Sequence, residues 1–157
     1  MEADGISHPN VPSADLLRLD RQLCFPLYAA SRLVTRLYQP LLEPLGLTYP
    51  QYLVLMLLWE RSPRSVSEIG ARLQLDSNTL TPLLKRLAGA GLVTRRRSDR
   101  DERVVEIQLT SAGRELEPQC ACIPLALAEQ IGFPAQEVDE LKRRLEGLLA
   151  RLVLAVR

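Results

Sequence analysis

The sequence predicts a mainly α-helical chain interrupted by one small β-hairpin. Leucines recur at helical spacing along most of its length, as in Leu16, Leu19, Leu23 and Leu27 and again in Leu33, Leu37 and Leu41. The period switches to strand alternation in only two short stretches, 92–97 and 104–109. Composition is that of an ordinary folded domain: 157 residues, 46% hydrophobic and 25% charged, which excludes a disordered tail or a disulfide-dense mini-protein.

Residues 1–14 contain Gly5, Pro9 and Pro12 and read as a flexible arm before a single domain over 15–157. Pro26 interrupts the first helical stretch. Proline costs about 3 kcal/mol inside a helix but is tolerated in its first turn. A short leading turn is therefore expected, then a main helix from near Phe25 that ends before Gly46. Thr48 is a candidate N-cap with Pro50 in the first turn of the next helix, which runs to about Arg61. That helix is apolar nearly all round and should be central. Ser65 and Glu68 form the spacing of a capping box, and Ile69, Leu73 and Leu75 face inward. A tight turn is expected at Asp76-Ser77-Asn78, then a helix over 79–90 with Leu80, Leu83, Leu84 and Leu87 buried and Gly91 as a left-handed cap.

Two short helices joined by such a turn are a helix-turn-helix, and the hairpin after them is its wing. The winged helix-turn-helix spans about 48–110. Thr110-Ser-Ala-Gly113 opens a further helix that Pro118 and Pro124 kink or divide. Phe133-Pro-Ala opens the last, with Val138, Leu141, Leu145, Leu148, Leu149 and Leu152 on one face. The terminal segments, about 15–46 and 111–157, are apolar on one side with no chain left to cover them. They are expected to be dimerisation helices of a homodimer.

Charge is uneven along the chain. Residues 1–60 carry net −2, residues 61–114 net +5 and residues 115–157 net −2. A basic middle between acidic ends points to a local anionic partner. No apolar run approaches the roughly 18 residues of a membrane span. The acidic Met1-Glu-Ala-Asp start has no apolar stretch of a secretory signal, so a cytoplasmic protein with no membrane partner is expected. A single histidine, His8, and no Gly-rich phosphate loop argue against a His-based metal site, a Ser-His-Asp triad or a nucleotide cofactor. No cofactor, metal or catalytic residue is expected, and the chain does not read as an enzyme.

The candidate DNA surface has two parts. The second helix of the pair exposes Ser77, Asn78, Thr79 and Thr81 toward base edges and Lys85 and Arg86 toward phosphates. The wing and its flanks supply Arg95, Arg96, Arg97, Arg100 and Arg103, opposed by Asp99, Asp101 and Glu102, and an arginine on a flexible tip can enter the minor groove. Arginine-rich hairpins are also simply solvated edges. The order of motif, wing and local charge favours double-stranded DNA.

Three cysteines form no disulfide framework. Cys24 falls at a helix start, where the helix dipole favours thiolate, the reactive species. It also fits a small buried apolar residue between Leu23 and Phe25. Tyr28, Tyr38, Tyr49 and Tyr52 lie in the same stretch and by themselves read first as packing aromatics. Cys120-Ala-Cys122 is half a metal site that nothing completes, a source of a second thiol, or two small helical residues.

Asp20-Arg-Gln-Leu-Cys-Phe-Pro-Leu-Tyr28, Tyr38-Gln-Pro-Leu-Leu, Leu47-Thr-Tyr-Pro-Gln-Tyr-Leu-Val and Leu58-Trp-Glu60 resemble the organic-hydroperoxide-sensing repressors (OhrR) of the MarR family. Ser65-Val-Ser-Glu-Ile-Gly, Leu80-Thr-Pro-Leu-Leu-Lys-Arg-Leu and Asp101-Glu-Arg103 extend the resemblance, which covers about 15–117. It implies a MarR-like dimer in which organic hydroperoxides oxidise Cys24, and Tyr38 and Tyr49 of the partner subunit hydrogen-bond it. It also implies a repressor that then releases a pseudo-palindromic operator and derepresses a peroxide-detoxifying gene. The apolar Leu23, Phe25 and Leu27 around the thiol should favour bulky organic peroxides. Two features depart from the family pattern. Pro26 stands near the sensor cysteine. The resolving cysteine of two-cysteine members lies beyond the Ile-Pro matching Ile123-Pro124, whereas here residues 125–133 contain none and Cys120 and Cys122 precede it. Either of these, or a small external thiol, would resolve oxidised Cys24. The alternatives are a MarR-type repressor released by reversible binding of a phenolic or lipid-like ligand, and a thiol peroxidase, which leaves the winged helix without a role.

Overall fold

In the computed structural model the described residues are 13–156, so residues 1–12 of the expected arm, with His8, lie outside the described residues. A helical turn α1 (Ser13–Leu16) already begins inside that arm, and Arg21 pairs with Asp15 at 3.5 Å to hold it. A 3-10 turn (Leu19–Arg21) leads into α2 (Cys24–Leu42). Pro26 sits in the first turn of α2, where backbone N–H groups have no intrahelical partner, so it opens the helix instead of breaking it. The helix tightens into a second 3-10 turn (Glu43–Leu45) and stops at Gly46, whose φ of 67° suits glycine.

Helix α3 (Tyr49–Glu60) starts at Thr48, whose N–H donates to Gln51 Oε1 at 2.8 Å, with Pro50 in the first turn as expected. Strand β1 (Arg64–Ser65) has no counterpart in the sequence reading. Two residues carry no period, and only pairing with residues more than forty positions away makes them a strand. Helix α4 (Val66–Leu73) has the expected capping box: the Glu68 N–H donates to Ser65 Oγ at 3.1 Å and the Ser65 N–H to Glu68 Oε2 at 2.8 Å.

The turn between α4 and α5 (Ser77–Gly89) falls earlier than expected. Gln74 takes the left-handed conformation at φ 53°, and Asp76 caps α5 by accepting from the Thr79 N–H at 2.8 Å. Asp, Ser and Asn favour turns and N-caps alike. Here Asp76 takes the cap, so Ser77 and Asn78 belong to the helix. The wing comprises β2 (Val93–Arg97) and β3 (Val105–Leu109), antiparallel from Val93↔Leu109 to Arg97↔Val105. With β1 they form a sheet in the order β1-β3-β2, Arg64 lying opposite Ile107. Helix α6 (Ser111–Cys120) contains Pro118, and the break falls at Ala121 and Cys122, before α7 (Ile123–Ile131). Helix α8 (Ala135–Ala155) closes the chain.

The core joins α3, α4, α5 and the sheet through fully buried Leu55, Leu58, Ile69, Leu84, Leu87 and Ile107. Helix α8 buries no residue: Val138, Leu141, Leu145, Leu149 and Leu152 are 40–50% exposed. Leu16, Leu17, Leu19, Leu23 and Phe25 at the other end are exposed as well. Among the described residues no single helix is long and apolar enough to cross a membrane.

One close approach locks the wing to α6. A methyl group on Gly113 would run into the Leu92 carbonyl oxygen and lie 3.0 Å from Leu109 Cδ2. Gly113→Ala should therefore destabilise the fold by about 3 kcal/mol, because backbone has to move to make room. Urea unfolding measures this, and a loss within experimental error of zero would contradict the packing.

Candidate functional site

The surface expected to face DNA is set by which side of α5 is buried. Leu80, Leu83, Leu84 and Leu87 turn inward, which leaves Ser77, Asn78, Thr79, Lys85 and Arg86 exposed and Thr81 half-buried. The backbone N–H of Thr79 holds the Asp76 carboxyl below its ordinary range, so the cap of α5 is ionised. Ser77, Arg95 and Arg103 line one hollow of about 600 Å³ between the start of α5 and the wing. Arg97 shares a face of β2 with Arg95, since side chains alternate along a strand. Arg96 and Arg100 line a separate hollow with Arg61, Glu68 and Ser98, and Arg96 Nε lies 3.9 Å from the Glu106 carboxylate. The arginines expected together thus divide between two sides of the wing.

The wing tip, expected to be a flexible turn, is tied internally. Ser98 is buried, its hydroxyl donates to Glu106 Oε1 at 2.9 Å, and it accepts from the Arg100 N–H at 3.3 Å. Asp101 accepts from the Arg103 N–H at 3.0 Å and from Arg103 Nε at 3.2 Å. Sequence patterning assigns Ser98 and Asp101 only to a charged turn. The signal that could have found them is the tendency of Ser and Asp side chains to bond nearby backbone in turns.

Cys24 is the first residue of α2 and is exposed, and no side chain caps that helix end. Tyr38 and Tyr49 form the centre of an aromatic cluster, with ring centroids 4.5 Å apart. Tyr52 lies 5.9 Å from Tyr38, and Trp59 lies 6.1 Å from Tyr52 in an edge-on arrangement. Tyr28 is not part of it; it is exposed, with the Arg32 guanidinium 5.5 Å from its ring centroid. Sequence patterning reads Tyr52 only with the other tyrosines and gives Trp59 no separate role, although their seven-residue spacing puts both on one helix face. Cys24 and Tyr38 are fourteen residues apart on α2, about 21 Å at 1.5 Å per residue. The thiol therefore cannot touch the Tyr38 phenol of its own chain.

The two later cysteines differ. Cys120 is 2% exposed, and burial pushes its thiol up, with Cys122 adding to the effect. It shares a hollow of about 360 Å³ with Tyr52, Met56 and Trp59. Cys122 is exposed, with its Sγ 3.8 Å from the Gln119 carbonyl oxygen.

Burial pushes up the pKa of all three clustered tyrosines and so suppresses their ionisation. Tyr52 is pushed up to about 12, by burial first and then by Tyr38, and Tyr38 and Tyr49 are also raised. Each is an O–H donor at neutral pH. A folded value above the unfolded one means that stability from Tyr52 is complete below about pH 10 and is lost as pH rises toward 12. Melting temperatures across that window should fall, and tyrosinate absorbance should show Tyr52 among the last groups to ionise. A Tyr52→Phe variant with the same alkaline loss as wild type would contradict this.

Residues 36–118 match the family described as "Transcriptional regulator SarA/Rot". The chain is 48% identical over 141 residues to the organic hydroperoxide resistance transcriptional regulator of Bacillus subtilis, covering 88% of this chain and 94% of that one. It is also similar to AbfR of Staphylococcus epidermidis. Reduced AbfR bound to DNA overlays with a TM-score of 0.71 at 39% identity, covering 89% of this chain and 98% of that chain. Disulfide-formed AbfR overlays with a TM-score of 0.57 at 41% identity, covering 87% and 96%. A helix-turn-helix with a paired β-wing, carried on long terminal helices and matched over most of its length by these regulators, places the chain in the MarR family of winged helix-turn-helix transcriptional regulators, among the relatives of its organic hydroperoxide resistance members.

Proposed function

We propose that the chain acts as a homodimeric repressor that senses organic hydroperoxides by oxidation of Cys24 and then releases its operator. The observation that carries this reading is the separation of Cys24 from a cluster of protonated tyrosines that includes Tyr38 of its own helix, together with the uncovered apolar faces of both termini. A second copy packed on those faces would supply Tyr38 and Tyr49 to the thiol of the first and cover α8 at the same time.

The Cys24 thiolate attacks the terminal oxygen of the hydroperoxide, and the O–O bond breaks. The alkoxide leaves and takes a proton to become the alcohol, while the sulfur becomes sulfenic acid. A second thiol attacks that sulfur and displaces water to form a disulfide. The exposed Cys122 suits this step better than Cys120, which is buried and whose thiol is held protonated. An external thiol is the remaining route. Either product removes the thiolate that the tyrosines would bond.

In the reduced dimer, Ser77, Asn78, Thr79 and Thr81 face base edges while Lys85, Arg86, Arg95, Arg97 and Arg103 meet phosphates or the minor groove. Arg100 would reach the backbone from the other side of the wing. Two such surfaces related by a two-fold axis read a pseudo-palindromic operator, and a change in their spacing releases it. Binding to chromosomal DNA implies a cytoplasmic protein. A second reading, reversible binding of an apolar or phenolic ligand, draws on the hollow beside Tyr52 and Met56.

Gel-shift assays on the protein's own promoter test the proposal. Stoichiometric cumene hydroperoxide should abolish binding by wild type and leave Cys24→Ser bound. Unchanged binding in both would reject peroxide sensing, and release of Cys24→Ser by a phenolic compound would favour the second reading. On non-reducing gels, the oxidised dimer band should vanish in Cys122→Ser and persist in Cys120→Ser; the opposite pattern would make Cys120 the resolving thiol.

A further inference from the structure

Trp59 has no part in the chemistry above, yet it touches both halves of the molecule. On one side its ring edge meets Tyr52, which stacks through Tyr38 to Tyr49. On the other, its indole N–H donates to the Gly113 carbonyl at 2.9 Å across 54 residues of chain.

The acceptor is held firmly. Gly113 lies in the first turn of α6 with no room for a side chain against Leu92. Its N–H donates to Thr110 Oγ1 at 3.1 Å, and that hydroxyl donates to the Gly91 carbonyl at 2.7 Å. The Thr110 N–H donates to the Leu92 carbonyl at 3.1 Å. Gly91 and Leu92 are the exit of α5, the helix that faces DNA. The indole thus joins the tyrosine cluster to a tied segment at the end of the recognition helix.

We infer that Trp59 is the positioning residue through which a rearrangement of the tyrosine cluster reaches the recognition helix, an inference that rests on the redox reading of Cys24. A hydrogen bond at 2.9 Å is lost once the atoms separate beyond about 3.5 Å. Trp59→Phe keeps an aromatic ring against Tyr52 and removes the N–H. It uncouples the two halves without touching the thiol.

The test measures operator affinity of the reduced and oxidised full-length protein, with Cys24 oxidation followed by mass spectrometry. Trp59→Phe should be oxidised at the wild-type rate while the ratio of reduced to oxidised affinity falls by about tenfold. Because Trp59 is the only tryptophan, wild type offers an independent readout that does not depend on the variant folding. Its emission should shift on hydroperoxide treatment and stay unchanged in Cys24→Ser. A wild-type affinity ratio in Trp59→Phe, or emission indifferent to complete Cys24 oxidation, overturns the inference while leaving the redox reading intact. Wild-type DNA binding indifferent to hydroperoxide overturns both.

Discussion

Helix α3 has almost no polar face, and the rest of the chain is arranged around the need to cover it. Tyr52, Val54, Leu55, Leu57 and Leu58 are all buried, and removing each large side chain from water contributes about 2 kcal/mol. Helix α2 covers one flank, α4 and α5 another, and α6 a third. The same helix begins with Tyr49 and ends near Trp59. Three members of the aromatic cluster, Tyr49, Tyr52 and Trp59, therefore sit on the helix against which α4 and α5 pack, and Tyr38 joins them from α2.

Local geometry then directs charge. The chain is almost neutral overall, but its middle carries the positive excess, and in the wing five arginines stand among four carboxylates. The carboxylates of the wing act chiefly by orientation. Exposed ion pairs contribute little, about 0–1 kcal/mol each, so Asp101 and Glu106 matter because they fix where Arg103, Ser98 and Arg96 lie. The result is a wing with arginines on both sides, only one of which borders the start of α5.

The two ends of the described chain share one property: runs of large apolar side chains that no other described residue covers. In the proposed dimer this surface and the sensor site are one problem. The thiol lies at the start of α2 and the phenols near its far end, so only packing between copies joins them. Under that proposal, oxidation at such a junction would act on the arrangement of the two recognition helices, since the bonds it would disrupt join the copies.

Much was legible in the sequence because the signals were local. Helical leucine spacing, Thr48 with Pro50, the Ser65–Glu68 box, Gly91 and the alternating wing strands each depend on neighbours within a turn or a strand. The resemblance in residues 20–60 also proposed Cys24, Tyr38 and Tyr49 as a set, of which the structure brings Tyr38 and Tyr49 together within one chain. Three features depended on distant partners. Strand β1 exists because Arg64 meets Ile107. Cys120 and Cys122, two positions apart, differ because one falls against Tyr52 and the other faces water. Trp59 finds its hydrogen-bond acceptor in a carbonyl 54 residues away. The sequence by itself determined the main helices, the two wing strands, their order and the candidate residues for the chemistry, since propensity, capping and period act over a few residues. Tertiary structure decided which of those residues meet, because burial and long-range hydrogen bonds depend on how helices pack, and no local pattern encodes that.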